Sequence, residues 1–155
     1  MKRFSCILTA LLVSIAAFAQ RFSDNFEDAT LRLDYIFSGN SQKSQIAFIE
    51  AYKTDVWAGR RSNLEKPLLD GNGKIEVLEP GTGKVLYSNS FSTLFQEWQS
   101  TKEASEVTKA YENCFQVPWP KKAVNIRITL TDKYRRVSAS LTHPVDPKDI
   151  LIRPL

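Results

Sequence analysis

Apolar and polar residues alternate with a period of two in several short stretches of the chain, a pattern typical of β-strands with one buried face. The clearest stretch is 30–37, where every second residue from Leu31 to Phe37 is apolar. Residues 123–131 alternate in the same way, with Ile126 and Ile128 among the inward positions. Seven strands are predicted in all, and they cover residues 30–37, 45–52, 74–79, 84–89, 109–117, 123–131 and 136–142.

Some of these strands carry features that predict their place in a sheet. Residues 45–52 are apolar on both faces, which predicts a central strand. Pro118 and Pro120 are expected to end the strand 109–117, because proline cannot donate a backbone hydrogen bond to a neighbouring strand. The last strand is expected to point Val137, Ala139 and Leu141 inward.

The stretch 70–98 contains the strongest local signals. A glycine-containing turn signal at 70–73 precedes one predicted strand, and a second at 80–83 separates it from the next strand. This arrangement predicts a β-hairpin with a loop of about four or five residues. The apolar spacing then changes to that of a short helix, which is expected to bury Leu94, Phe95 and Trp98 on one face. Thr93 and Gln96 have the spacing of a capping box at its start. No residue here is chemically reactive, so the stretch is interpreted as a structural centre.

Seven strands with one short helix predict an all-β fold. Two antiparallel sheets packed face to face, as in an immunoglobulin-like β-sandwich, bury such strands most economically. A closed β-barrel is the alternative.

Residues 1–19 have the pattern of a signal peptide that is cleaved after Ala19: Lys2 and Arg3 precede an apolar run that ends in Ala-Phe-Ala. The alternative is a membrane anchor, but the apolar run is shorter than the roughly 20 residues that a spanning helix needs. We therefore expect export to the periplasm or the extracellular space, with no membrane attachment after cleavage. The remainder is predicted to divide into a leader (20–29), the β-sandwich (30–143) and a linker (144–155).

The charge and cysteine content of the predicted mature chain argue against a nucleic-acid-binding protein and against a disulfide-stabilised one. Cleavage leaves 19 basic and 17 acidic residues in a chain of 136, and these charges alternate in sign, so we expect no nucleic-acid partner. Cys114 is then the one remaining cysteine, so no disulfide can form within the mature chain and the apolar core must stabilise the fold alone.

The sequence offers few groups for catalysis or for binding a cofactor. His143 is the one histidine, and the His-Glu-x-x-His pattern of zinc peptidases is absent, so neither a metal nor another cofactor is expected. Cys114 as a nucleophile would need His143 as its base, whereas a small buried residue in a strand is the simpler interpretation. The glycines at 71–73 and 81–83 fit neither a calcium loop nor a phosphate loop, and they are interpreted as turns.

Aromatic and arginine side chains in the predicted connections are the candidates for ligand binding. Trp57, Arg60, Arg61 and Trp119 could bind a sugar ring or a peptide if they are exposed. In the alternative interpretation, these tryptophans and Trp98 cap the ends of the sandwich core.

Five ordered segments of the chain resemble a known family. They are LRLDYIFSGN (31–40), WAGRRSNL (57–64), GNGKIEV (71–77), SFSTLFQEW (90–98) and VSASLTH (137–143). In order and spacing they resemble the N-terminal domain of bacterial secreted zinc metallopeptidases of the IgA peptidase family, numbered sixty-four among metallopeptidases. The resemblance implies a β-sandwich that precedes a zinc-dependent catalytic domain. The zinc ligands of that family would lie beyond Leu155, so no residue here inherits a catalytic role.

Two functions of different class follow as expectations. The first is a non-catalytic accessory domain that packs against a C-terminal zinc peptidase domain or positions its substrate. The second is a free-standing secreted module that binds a glycan or a protein. An exposed apolar surface near residues 150–155 would favour the first, and aromatic side chains around an open groove would favour the second.

We expect metal chelators to leave the melting temperature of the protein unchanged, because the sequence contains no set of metal ligands. A thermal melt with and without excess EDTA tests this. A fall of several degrees in EDTA would reveal a structural metal.

Overall fold

The computed structural model describes residues 21–155. In chain order the elements are α1 (Phe22–Asn25), β1 (Phe26–Gly39), β2 (Ser44–Thr54), β3 (Gly73–Leu78), β4 (Val85–Phe91), α2 (Leu94–Trp98), a 3₁₀ turn (Glu103–Ser105), β5 (Lys109–Pro120), β6 (Val124–Thr131), β7 (Val137–Val145) and β8 (Arg153–Pro154). The predicted signal peptide, residues 1–19, lies outside the described residues.

The strands form two four-stranded sheets. The order is β5-β1-β2-β8 in the first sheet and β4-β3-β6-β7 in the second. All paired strands are antiparallel except β2 and β8, which are parallel. The prediction of a mostly β, sandwich-like fold with short helices is confirmed. The immunoglobulin-like topology is not confirmed by this strand order and stays a prediction.

The core lies where the inward faces of β1 and β6 are buried. Seven apolar residues of these two strands have 0% of their surface exposed: Leu31, Leu33, Tyr35, Phe37, Ile126, Ile128 and Leu130. These are the alternating positions that the sequence pattern predicted. Burial of each such side chain contributes about 1.5–3 kcal/mol, so these two strands supply much of the stability of the fold.

The prediction for β2 is wrong in one respect, because the strand is not buried on both faces. Phe48 and Ile49 are 39% and 46% exposed. The short β8 pairs with β2 only at Tyr52 and Lys53, so the first part of β2 behaves as a sheet edge. Ile49 is the extra residue of a β-bulge, since Asp34 pairs with Glu50 and Tyr35 pairs with Phe48.

The prediction that Pro118 ends β5 is also wrong. β5 continues to Pro120, and Pro118 pairs with Thr30 of β1. A proline is compatible with a strand at the edge of a sheet when the position of its missing N–H faces away from the neighbouring strand. β5 is such an edge strand.

β7 is longer than predicted, and its first residue points outward. The strand runs from Val137 through His143 to Val145. Val137 is 65% exposed because the register shifts between Leu130 and Thr131 of β6, which places it out of phase with the rest of the strand. Ala139 and Leu141 pack against the core, as predicted. The predicted domain bounds stay a prediction, although β1 already begins within the expected leader.

The hairpin of β3 and β4 and the helix after it are confirmed in outline. Phe95 and Trp98 are buried, whereas Leu94 is 70% exposed, contrary to the prediction. Thr93 caps the helix by accepting a hydrogen bond from the backbone N–H of Gln96. The Gln96 amide donates to the backbone oxygens of Asn72 and Thr131, so it ties the helix to the ends of β3 and β6 instead of completing the capping box.

We expect the substitution Trp98→Ala to lower the free energy of unfolding by about 3–5 kcal/mol, the usual cost of emptying a large core site. Trp98 is 8% exposed, packs within 5.8 Å of the Tyr111 ring and donates to Glu103. Leu94→Ala in the same helix is the matched control and should cost less than about 1 kcal/mol. Chemical denaturation measures both. Equal effects of the two substitutions would contradict this account of the helix.

Candidate functional site

The connection between β2 and β3 is built around Trp57, the first of the predicted binding residues. Trp57 is 5% exposed, so it is a core residue and not an exposed ligand platform. Its indole N–H donates to the backbone oxygen of Arg60 at 3.0 Å, and its ring meets the edge of the Tyr87 ring at 5.7 Å. An added Cβ on Gly59 would lie 2.2 Å from the Trp57 ring, so this position needs glycine.

Arg60 fastens the same connection to β4. Its guanidinium donates to the backbone oxygens of Leu64, Lys66 and Ser88, and it lies 5.2 Å from the centre of the Tyr87 ring. Its Nε is buried without a hydrogen-bond partner. Among residues 21–155, no carboxylate lies within ion-pair distance of Arg60. Within residues 21–155, carbonyl dipoles and an aromatic face are therefore the partners of this positive charge.

Arg61 is more exposed and joins the connection to the start of β1. It forms an ion pair with Asp28 at 2.5 Å and donates to the backbone oxygen of Trp57. The hydrogen bond from Arg61 lowers the pKa of Asp28 below its usual value. Both side chains are about half exposed, so the pair positions the loop more than it stabilises the fold.

Trp119 lies apart from the other three candidates. It is 5% exposed within β5, and the ammonium of Lys53 lies 4.3 Å above its ring. The interpretation of Trp57, Trp98 and Trp119 as core residues is thus confirmed by their burial. The four candidates do not form one exposed surface, and ligand binding by them stays a prediction.

An open cleft of about 810 Å³ lies between the edge strands β4 and β5, and we call it the β4–β5 cleft. Its lining includes Trp57, Arg60 and Leu68 from the connection, Tyr87, Asn89 and Phe91 from β4, and Cys114, Phe115 and Gln116 from β5. The volume is within the range of small-ligand sites, and the mixture of aromatic and amide groups is typical of them. Among the described residues that line the cleft, Arg60 is the one with a charged side chain.

Sequence reasoning missed the residues of β4 and β5 that line this cleft. A signal was present in β4, where Asn89 pairs with the inward Ile75 and lies between the inward positions of Tyr87 and Phe91. A polar side chain at an inward position is unusual in a strand, and here it marks the place where the two sheets separate. The spatial approach of β4 to β5 could not be predicted from spacing along the chain.

Cys114 and His143 do not form a catalytic pair. Cys114 is exposed on the outer face of the first sheet, opposite Asp34, which corrects the expectation that it is buried. Partial burial and the hydrogen bond to Asp34 raise the pKa of its thiol, so it is a weak nucleophile at neutral pH. His143 contacts Tyr35 on the opposite, inward face of the same sheet.

His143 connects the two sheets in its neutral form. The Tyr35 hydroxyl lies 2.6 Å from Nε2 of His143, and Nδ1 lies 3.2 Å from the Pro144 carbonyl oxygen. Because that carbonyl can only accept, Nδ1 carries the proton and Nε2 accepts from Tyr35. Burial raises the pKa of Tyr35, so its hydroxyl keeps its proton, and Phe48 stacks on the imidazole at 4.3 Å.

The described residues contain no group of three or more His, Cys, Asp or Glu side chains that could hold a metal ion. Within residues 21–155 there is also no helix with the length and apolarity that crossing a membrane requires. The fold and the cleft therefore define a two-sheet β domain with a candidate binding site.

The sequence comparisons identify the family. Residues 21–142 match the family model described as Peptidase M64 N-terminus. The chain therefore belongs to this family, as the resemblance of the five segments predicted. The match is to the N-terminal domain, and these 155 residues do not include the catalytic domain. No curated protein matches the sequence.

We expect the protein to become less stable as the pH falls from about 8 to about 5.5, because burial lowers the pKa of His143 below its usual 6.5. The unfolded chain then binds more protons than the folded one, so stability decreases as the pH falls through the unfolded pKa. The imidazole C–H signal in NMR reports the pKa of the one histidine directly. The variant His143→Gln should show a shallower pH dependence of its melting temperature. A folded-state pKa at or above 6.5 would contradict the prediction.

Proposed function

We propose that this chain is a non-catalytic accessory domain of an exported zinc metallopeptidase. Its match to the N-terminal domain of peptidase M64 carries the proposal. In this role the domain packs against a zinc peptidase domain or positions the substrate of that domain. An N-terminal signal peptide cleaved after Ala19 would deliver it to the periplasm or the extracellular space, which is the compartment of a secreted peptidase.

The C-terminal segment supports packing against a second domain. Ile150, Leu151 and Leu155 are 91%, 77% and 68% exposed, whereas Ile152 between them packs against the core. Arg153 holds the segment on β2 through an ion pair with Glu50 at 3.1 Å. Three large apolar side chains on one anchored segment form a surface that a partner domain would cover.

A free-standing module that binds a glycan or a protein is the second candidate. The observation that favours it is the β4–β5 cleft, which has aromatic and amide groups around an opening to solvent. An immunoglobulin-like arrangement of the two sheets would suit either role, because such sandwiches serve in many cell-surface domains. In this role Trp57 and Arg60 would shape the cleft, while Arg61 and Trp119 would contribute indirectly.

We expect the purified protein to bind a separately produced catalytic domain of an M64 peptidase, as measured by isothermal titration calorimetry. The double variant Ile150→Ser/Leu151→Ser should bind about tenfold more weakly or worse, because two apolar contacts are lost. The double variant Leu94→Ser/Val137→Ser, which alters two other exposed apolar residues, is the matched control and should bind normally.

Two results would contradict the accessory role. One is the absence of binding to the catalytic domain, and the other is equal weakening by the two double variants. If binding occurs, cleavage of a protein substrate with and without the added domain separates packing from substrate positioning. If the added domain speeds cleavage at low substrate concentration but not at saturating concentration, the domain positions the substrate.

A further inference from the structure

The outer edge of β5 is an unpaired strand edge. β5 pairs with β1 on one side over its whole length. On its other side, no backbone hydrogen bond joins residues 110–119 to any other segment within residues 21–155. Such an edge presents free N–H and C=O groups to an incoming strand.

The pairing of neighbouring strands shows which groups of β5 face outward. The backbone oxygen of Lys53 accepts from the N–H of Leu155, so the backbone N–H and C=O groups of Lys53 point away from β1. Its partner Leu31 is then in a non-hydrogen-bonded pair with Lys53, so the backbone groups of Leu31 point toward β5. Because backbone direction alternates along a strand, Val117 faces β1 and the even-numbered residues of β5 face outward. Pro118 fits this phase, since its missing N–H lies on the outer side. The outward N–H and C=O groups therefore belong to Ala110, Glu112, Cys114 and Gln116.

This free edge forms one wall of the β4–β5 cleft. On the β5 side, the inward Phe115 lines the cleft together with the strand edge at Cys114 and Gln116, whose side chains lie on the outer face of the sheet. Asn89 and Phe91 line the cleft on the β4 side. The rings of Phe91 and Phe115 meet at 4.4 Å, so they close the space between the sheets beneath the edge. A strand added to β5 would place alternate side chains over this aromatic surface.

The opposite edge, that of β4, is already occupied. The backbone N–H of Ser88 donates to the Leu64 oxygen at 2.8 Å, and Arg60 donates to the Ser88 oxygen. Farther along, Ser90 donates to the Leu69 oxygen through its hydroxyl. The connection between β2 and β3 thus covers β4, and β5 is the edge of the cleft that remains open.

We propose that the outer edge of β5, residues 110–116, binds an extended peptide as an additional strand. Outward donors and acceptors recur about every 6.8 Å along the edge, a spacing that the backbone of an extended peptide matches. Apolar side chains at alternate positions of the peptide enter the β4–β5 cleft. An acidic residue of the peptide approaches Arg60, the charged lining residue without a carboxylate partner. This inference stands whether or not a peptidase domain is attached.

The probe is an acetylated and amidated peptide of about nine residues, long enough to span the edge, with glutamate at both ends and threonine alternating with leucine or phenylalanine between them. Two versions carry N-methyl groups on alternate backbone nitrogens, one on the odd-numbered and one on the even-numbered set. Because a strand pairs through one edge only, one version should bind about tenfold more weakly than the parent peptide and the other should bind normally.

NMR titration of the purified protein locates the site. The amide N–H groups of Glu112, Cys114 and Gln116 should exchange more slowly with solvent when the peptide is bound. The variant Gln116→Pro removes one outward N–H, as Pro118 does naturally, and should weaken binding, whereas Gln116→Ala keeps the N–H and should not. Replacing both glutamates of the peptide by glutamine should weaken binding and reduce its salt dependence.

Several outcomes would overturn the proposal. Equal binding of the two N-methylated peptides would show that backbone pairing is not the mode of recognition. If the bound peptide slows amide exchange elsewhere and not in β5, the peptide does not bind at the β5 edge. Slow exchange of the same amides without peptide, together with a dimer in sedimentation, would mean that a second copy of the chain covers the edge. If Gln116→Pro fails to fold, the comparison of the two N-methylated peptides still decides.

Discussion

The burial of one face of β1 is the interaction on which the rest of this structure depends. β1 pairs with both β2 and β5, so it is a central strand of the first sheet. Its alternating residues from Leu31 to Phe37 have no exposed surface. A strand of this length can hold its register only when such a face is buried, because a slip of one residue would expose every apolar side chain. The positions of the cleft, the β5 edge and the Tyr35–His143 contact all follow from that register.

The parts of the fold that follow from local alternation could be predicted from the sequence. β6, with Ile126 and Ile128 inward, and the hairpin of β3 and β4 are examples, since their patterns and turn residues agree. Two of the errors arise because the residues of a strand do not by themselves specify its place in the sheet or its register with its neighbours. Pro118 predicts the end of a strand, but β5 continues through it because β5 lies at the edge of its sheet. Ile49 reads as a core residue until the bulge in β2 turns it outward.

The candidate site was harder to predict than the fold, for the same reason. The sequence makes Trp57 and Arg60 candidates for ligand binding if they are exposed, but Trp57 is buried and Arg60 donates to three backbone oxygens. Trp57 therefore shapes the cleft, whereas Arg60 contributes its positive charge to the lining. The residues whose side chains face the cleft, such as Asn89 and Phe115, belong to strands far apart in the sequence. Only the stacking of the two sheets brings them together, and no motif encodes it.

The bulge at Ile49 has a consequence for how this strand can vary in length. On one side of the bulge Glu50 and Tyr52 point outward, and on the other side Phe48 and Ile46 point inward. With Ile49 removed, Glu50 would follow Phe48 directly in regular alternation, so both faces of β2 would keep their residues. The bulge is therefore a place where the chain can gain or lose one residue without exchanging its inner and outer surfaces, a freedom that the unbroken pattern of β6 does not have.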